Sequence, residues 1–478
     1  MTGSHTQDAA ATAPPGPARP GLVLLVVCLA QFIVVLDVSI VNLALPHVAD
    51  ELGMNDADVQ WVVNAYTVTL AGFLLLGGRL ADLYGRRRMF LVGLGLFVLA
   101  SLAGGLAQGG LWLVIARAVQ GLGAAVVGPT TLTVLTTSFT DPAARGKAIG
   151  AWSAVAAGGG AVGALLGGIL TEYLTWRAVL LVNVPLGLIL MVLAVSAITE
   201  APGTGKAKLD IAGAVSVTAG LAAVVYGIVA VADHPFGSVE VLLPLLAGVA
   251  LLVVFVVVER TVAAPIVPLD FFKHRNLTLA NIVALIGGTA MVAMFFFLSL
   301  SMQKAFQWSA VEAGLAFLPL SGAVVVGSMV SMKTLKALGP RPLLVVGGLV
   351  ATAGLLWMSR TPVDASFVVD LLGPTVLAGL GMGLVMVPIT SAATSGLEPA
   401  RAGLASGVIS TTRQLGGAIG LATLVTAATA HAASLTASGT ARTAALTSGY
   451  DRGFLLCAAL LLVGTLVSGL LPGRPKPA

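Results

Sequence analysis

Two side chains of opposite charge stand alone inside long apolar runs. Asp37 sits in QFIVVLDVSIVNLALP (residues 31–46) and Arg117 in LVIARAVQGLGAA (113–125). Burial and a nearby guanidinium push the proton affinity of a carboxyl group in opposite directions, so such a pair is suited to taking up and releasing a proton near neutral pH. The same residues also suit a buried salt bridge that only holds two helices together. Counted from the predicted helix ends at 1.5 Å per residue, both lie roughly 10 to 14 Å below the same face, so an ion pair is geometrically open to them. Arg413 is a third charge deep in an apolar run, placed either to balance an anionic ligand or to bond carbonyl groups. On a helical wheel Gln31 and Asn42 fall on one side and Asp37 on another. Gln31 and Asn42 therefore mark a cavity face, Gln120 lies one turn from Arg117, and Met294 stands among Phe295 to Phe297 as either cavity lining or packing.

The elements that must position these groups follow from composition. The chain has 478 residues, 57% of them apolar and only 9% charged, and no soluble domain of that length tolerates such a balance. A hydrocarbon core of about 30 Å takes about 20 apolar residues per helix, and such runs recur between short polar breaks, too long and too uniformly apolar for barrel strands. The expected fold class is an all-α membrane protein with about fourteen spans, the first near residues 21–45 and the last near 451–471. Residues 1–20 (MTGSHTQDAAATAPPGPARP) contain no apolar core and are expected to form a tail, as are residues 472–478. Cys28 and Cys457 lie in apolar spans and are expected to be small packing residues.

With the N-terminus in the cytoplasm, 18 of the 25 Lys and Arg residues fall on the cytoplasmic side, five outside and two, Arg117 and Arg413, within the membrane. That bias predicts both termini to be cytoplasmic. It also explains the net charge of +5 without nucleic acid as a partner. The partners expected are the lipid bilayer and a small-molecule substrate, for a chain acting as a monomer.

An internal repeat organises the spans. PAARGKAIGAWSAVAAGGGAVG (142–163) aligns without a gap on PARAGLASGVISTTRQLGGAIG (399–420), with ten identical positions at an offset of 257. GRRRMFLVG (85–93) resembles GPRPLLVVG (339–347) at an offset of 254. A plain duplication of a twelve-helix protein has an offset of about 200, and the excess is the size of two helices. The expected organisation is a six-helix bundle at 21–198, a two-helix insert with linkers at 199–276, and a second six-helix bundle at 277–471. Parallel repeats of this kind point to a secondary transporter with its site between the halves.

Several motifs then carry a resemblance. GRLADLYGRRR (78–88) combines Gly78 and Gly85, which permit close approach and a sharp turn, with Asp82 and the basic run Arg86, Arg87 and Arg88. It resembles the signature loop of the major facilitator superfamily, and the resemblance implies a latch between the halves that includes the acidic residue. The Arg117 segment is similar to the helix 4 motif of that superfamily, in which the arginine is linked to proton movement. Gly150, Gly159, Gly163, Gly167 and Gly168 follow the spacing of its helix 5 antiporter motif, with Ala164 where that motif usually has proline. WRAVLLVNVPLG (176–187) and LDVSIVNLALP (36–46) resemble helix 6 and helix 1 patterns of its drug:proton antiporters with fourteen spans.

The resemblance implies a proton-coupled antiporter in a bacterial cytoplasmic membrane that exports small lipophilic or cationic drugs and antibiotics by alternating access. Asp37 and Arg117 would carry the coupling, with protons as the coupling ion and no cofactor. The alternative is a symporter or facilitator of a polar metabolite, which calls for more paired polar residues in the central helices. No helical His-Glu-x-x-His or Ser/His dyad spacing suggests an enzyme, and His274 and His431 are placed in loops.

Overall fold

The computed structural model describes residues 20–200, 209–262, 265–395 and 399–471. The expected tails at 1–20 and 472–478 lie outside these residues except for Pro20, as does most of the linker after the sixth span. Fifteen α-helices are described: α1 (Pro20–Leu52), α2 (Asp56–Tyr84), α3 (Arg86–Gly105), α4 (Gly110–Ser138), α5 (Pro142–Tyr173), α6 (Trp176–Leu181), α7 (Asn183–Ala197), α8 (Ile211–Ala230), α9 (Val239–Thr261), α10 (Arg275–Leu300), α11 (Ala310–Leu338), α12 (Pro340–Met358), α13 (Leu372–Thr394), α14 (Pro399–Ala437) and α15 (Arg442–Ser468). Helices α6 and α7 together form one span, so the described residues contain 14 helical spans and no strand. An even number of spans puts the start of α1 and the end of α15 at one face, called here the terminal face; the other is the far face.

Packing divides the chain much as its repeat does. Helix α5 lies on α1 and helix α14 on α10, and both contacts run through glycine faces. A Cβ at Gly163 would lie 2.8 Å from Ser39 Cβ and 3.0 Å from the Leu36 carbonyl oxygen. At the repeat-related Gly420 it would overlap Thr289 of α10, so neither helix pair tolerates a side chain there. The insert helices α8 and α9 pack on each other and lie over the outer side of the seam between α2 and α14, where Trp61 meets Tyr226 and Thr426 Oγ1 donates to the Ile228 carbonyl (3.3 Å). Glu259, buried near the end of α9, accepts the backbone N–H groups of Ile266 and Val267, which folds the linker to α10 back under the insert.

Three local expectations need correction. Helix α1 does not stop near residue 45 but runs through Pro46 to Leu52, so Asp37 is fifteen residues (37 to 52) from its far end. Helix α15 starts at Arg442, not 451, which places a second acid, Asp451, well inside a span, where its carboxylate accepts the Thr361 backbone N–H. His431 is in α14 rather than a loop, with Nε2 against Ser448 Oγ at 3.2 Å. All three arise because polar residues near a helix end lower local hydropathy without breaking the helix once its backbone groups are paired.

Candidate functional site

The far half of α1 explains how the bundle closes. A proline inside a helix has no N–H to offer the carbonyl four residues earlier, so Pro46 frees the Asn42 carbonyl oxygen. Ser299 Oγ of α10, on the other half, donates to that oxygen (2.7 Å), and Gln303 Nε2 donates to the next carbonyl, Leu43 (3.1 Å), and to Ser299 Oγ (3.0 Å). The two halves are thus joined at the far face through a backbone site that the proline opens. Nearby, Gly168 of α5 rests on the Ala310 carbonyl of α11, Gly314 of α11 rests on the Ala164 carbonyl, and Glu172 accepts the Val311 N–H. Toward the terminal face α5 stays packed through Gly159 and Ala148, while Gly146, Gly150, Gly158 and Gly160 face open space, with no neighbouring helix within 4 Å of where a side chain would start.

Losing one neutral hydrogen bond of this kind costs about 1 kcal/mol net, about fivefold in an opening equilibrium. Ser299→Ala is therefore expected to speed amide hydrogen exchange at the far end of α1 by about that factor, while exchange in α3 stays unchanged. Equal exchange in both helices would show that Ser299 does not secure the seal.

Below the seal, Asp37 and Arg117 meet. Arg117 Nη1 lies 2.5 Å from Asp37 Oδ2, with the aspartate fully buried and the arginine 2% exposed. Oδ1 of Asp37 accepts from Gln120 Nε2 (2.6 Å) and Asn183 Nδ2 (2.8 Å). The guanidinium bonds further to Gln120 Oε1 (2.6 Å) and, through Nε, to the Val62 carbonyl (3.0 Å), and it lies 4.4 Å above the Tyr66 ring. Gln120 Nε2 also donates to Ser101 Oγ (2.8 Å), which in turn donates to the Phe97 carbonyl. One carboxylate and one guanidinium therefore bring together α1, α2, α3, α4 and α7, and the polar demands of both charges are met inside the N-terminal bundle. In this conformation Asp37 has no contact with solvent, so any proton it exchanges must enter when the helices around it part.

The other expected residues are placed as follows. Gln31 is half-buried on the α1 half nearer the terminal face. Asn42 is buried and spent on the seal, its own Nδ2 bonded to Val38, and Gln120 belongs to the charge network rather than to a cavity wall. Met294 is fully buried in the aliphatic and aromatic core beneath the seal, so it lines no open space in this conformation. Gly159, Gly163 and Gly167 seat α5 on α1 and Gly168 seats it on α11, but Gly150 is exposed and packs against nothing. Ser39 Oγ donates to the Gly160 carbonyl (2.6 Å), one turn before Ala164 and the very group that a proline at 164 would free. In the signature loop, Gly85 takes φ 98°, a left-handed conformation that favours glycine, and this turns α2 into α3. Gly78 lies near Pro129. Asp82 is exposed and makes no hydrogen bond or ion pair among the described residues, Arg86 and Arg87 are half-buried beside it, and Arg79 of the same motif donates to the Pro265 carbonyl in the linker before α10. Among the described residues no three His, Cys, Asp or Glu side chains are grouped to hold a metal ion.

Sequence reading missed Asn183, Ser101, Tyr66, Ser299 and Gln303. Asn183 carried a signal, as an amide in the apolar run LLVNVPLG, whereas a serine or tyrosine in such a run is too common to be one. Gln60 and Asn64 were missed as well. They stand one turn apart on α2 and are fully buried, and their amide groups have no hydrogen-bond partner among the described residues.

A bundle of fourteen helical spans, with a buried charge network on one side of a seam that is closed at one face, has the build of a membrane transporter. Comparison with known proteins places it more closely. Residues 27–421 match the family model described as Major Facilitator Superfamily. The chain belongs to that superfamily. It is 42% identical to a cephamycin export protein of Amycolatopsis lactamdurans, covering 95% of this chain and 93% of that one. It is 40% identical to a puromycin resistance protein of Streptomyces alboniger, over 95% and 92%. A tetracenomycin C resistance and export protein of Streptomyces glaucescens is 33% identical, over 85% and 75%. Among solved structures, a bacterial homolog of the human lysosomal transporter Spinster superposes with a TM-score of 0.65 at 16% identity, covering 94% of this chain and 96% of that one. The nucleoside transporter NupG also gives 0.65, at 12% identity over 94% and 98%. At these identities the two structures speak for the fold alone.

Proposed function

We propose that the protein is a proton-coupled antiporter that exports small lipophilic drugs, antibiotics foremost, across a bacterial cytoplasmic membrane, with its terminal face in the cytoplasm. The observation that carries this reading is Asp37, a carboxylate with no solvent contact whose bonds to Arg117, Gln120 and Asn183 all lie within one half. Antibiotic export and resistance in the relatives, each of which the chain covers over most of its length, supports the direction and the class of cargo.

In the conformation described, the far face is sealed and Asp37 is paired. Opening the far face breaks the Ser299 and Gln303 bonds, lets water reach α1, and allows a proton to take the place of the Arg117 interaction. Closing it again brings the Arg117 guanidinium back onto the carboxyl group, which favours release of the proton toward the other face and restores the ion pair. The unpaired amides of Gln60 and Asn64 support such a two-state equilibrium: a buried polar group without a partner costs about 1–3 kcal/mol, and hydration in the other state removes that cost.

Reconstituted in liposomes with an imposed pH gradient, the protein is expected to dissipate the gradient when puromycin or a cephamycin is added and not before. Drug and protons should move in opposite directions. Movement of both in one direction would establish a symporter. Drug equilibration without proton flux would establish a facilitator.

A further inference from the structure

The buried charges of the N-terminal half are balanced, and those of the C-terminal half are not. Asp37 is spent on Arg117. Asp451 is bound to the Thr361 backbone in the far-face half of α15, and Glu259 is bound to the linker under the insert. Arg413 is half-buried, roughly 21 Å along α14 from its start at the terminal face, and among the described residues makes neither a hydrogen bond nor an ion pair.

The placement of Arg413 follows from its neighbours. Thr411 and Leu415 face an outer crevice that they form with Leu75 of α2 and Val217 and Phe255 of the insert. Arg413 is two residues from each of them, roughly 160° around the helix, and about 100° from Thr412, which also lines that crevice, and so it faces away from the crevice, on the side of α14 toward α10. Its backbone is pressed against α10 at Gly288, where a Cβ would overlap the Arg413 carbonyl. Serine and glutamine flank it: Ser410 is about one turn before it and Gln414 follows it, both half-buried. The repeat-related position on α5, Ala156 at an offset of 257, carries no charge, so the cation is specific to one half.

A guanidinium at this depth along a spanning helix calls for a counter-charge or acceptors, and no described side chain or carbonyl group supplies them. Arg413 presents five N–H donors in a fork that fits a carboxylate in two-point fashion. No described acid faces it that would favour a cation at the same place.

We propose that Arg413 is the substrate-recognition residue for an anionic head group, and that the preferred cargo is an amphipathic molecule with a lipophilic body and one carboxylate. This rests on the export reading and narrows its substrate class. The apolar body lies along the interior of the bundle while Arg413, with Ser410 and Gln414 beside it, holds the carboxylate.

Equilibrium binding separates this from the question of coupling, because it needs no gradient. The probes are pyrenebutyrate, its methyl ester and pyrenebutyltrimethylammonium, which share one body and differ in charge, titrated against the full chain in nanodiscs with empty nanodiscs subtracted. Wild type is expected to bind the carboxylate at least about tenfold more tightly than the ester, the scale of a charge-assisted hydrogen bond, and the ammonium more weakly still. Arg413→Gln should bring the carboxylate down to the ester, and Arg413→Lys should keep part of the preference. Because Arg413 holds no protein group, Arg413→Gln should melt at or above the wild-type temperature.

Equal binding of carboxylate and ammonium by wild type would overturn the proposal, as would no carboxylate binding above empty nanodiscs, or a preference that survives Arg413→Gln. A lower melting temperature in Arg413→Gln, recovered by lysine without recovery of carboxylate binding, would overturn it in favour of a structural arginine. A proteoliposome assay that showed no proton flux would instead count against the coupling reading and leave the binding preference standing.

Discussion

Asp37→Asn is expected to abolish uphill, pH-driven transport and to destabilise the protein, and adding Arg117→Gln is expected to restore much of the stability but none of the coupling. The reason lies in the donors around the carboxylate. An asparagine at 37 still offers one oxygen to Gln120 and Asn183, but its amide nitrogen would face Arg117 Nη1, donor against donor. Arg117 would then keep only Gln120 Oε1, the Val62 carbonyl and the Tyr66 ring, as a charge without a counter-charge. Removing one partner of a buried pair costs about 3–5 kcal/mol, because the other is left uncompensated. With both charges neutral, a glutamine at 117 has neither that charge nor that donor conflict, so the double variant should recover at least about half of the loss. Thermal unfolding of the three variants measures the first effect and gradient-driven drug movement in liposomes the second. If the double variant is as unstable as the worse single one, packing rather than charge holds this site. If Asp37→Asn still accumulates drug against its gradient, Asp37 is not the sole coupling group.

Gly168→Val is expected to be the other severe change, through the seal rather than the charges. Gly168 lets α5 of one half touch the backbone of α11 of the other at Ala310, and a Cβ there would overlap the carbonyl oxygen. Both helices are held nearby, α5 by Gly163 and Gly167 on α1 and α11 by Gly314 on Ala164, so neither can yield locally. Overpacking a close contact costs about 1–3 kcal/mol, and here the cost falls only on the state in which the far face is closed. The equilibrium should shift toward far-face opening by a factor of about ten or more, with transport reduced in proportion. A Ser299→Cys probe, in a background without Cys28 and Cys457, reads this as faster labelling by an impermeant maleimide added at the far face. Unchanged labelling with lost transport would place the role of Gly168 elsewhere. Gly150→Val makes a control, since nothing lies near that position and it should transport normally.

Much of this was readable before any coordinates. Membrane class and span number follow from apolar run length, since the bilayer imposes one physical length on every helix that crosses it. The equivalence of α5 and α14 was visible in the repeat, because the same packing face, Gly159 and Gly163 on α1 or Gly416 and Gly420 on α10, needs the same small residues at the same spacing. The pairing of Asp37 with Arg117 was legible because charges are too costly in such runs to be there without a partner.

Tertiary structure decided what those residues are paired with and what remains unpaired. No spacing rule brings Asn183 and Ser101 to the charge pair, since they arrive on helices 146 residues from Asp37 and 19 from Gln120 along the chain. Pro46 reads in sequence as a helix end. In the fold it is a helix-internal residue that frees the Asn42 carbonyl for Ser299, because only a neighbouring helix can satisfy a group that water does not reach. Arg413 looked like Arg117 in sequence, a lone cation in an apolar run. The difference between them, one fully bonded and one left open, is set by which side chains the folded bundle brings within a few ångströms, and one-dimensional order carries no record of that distance.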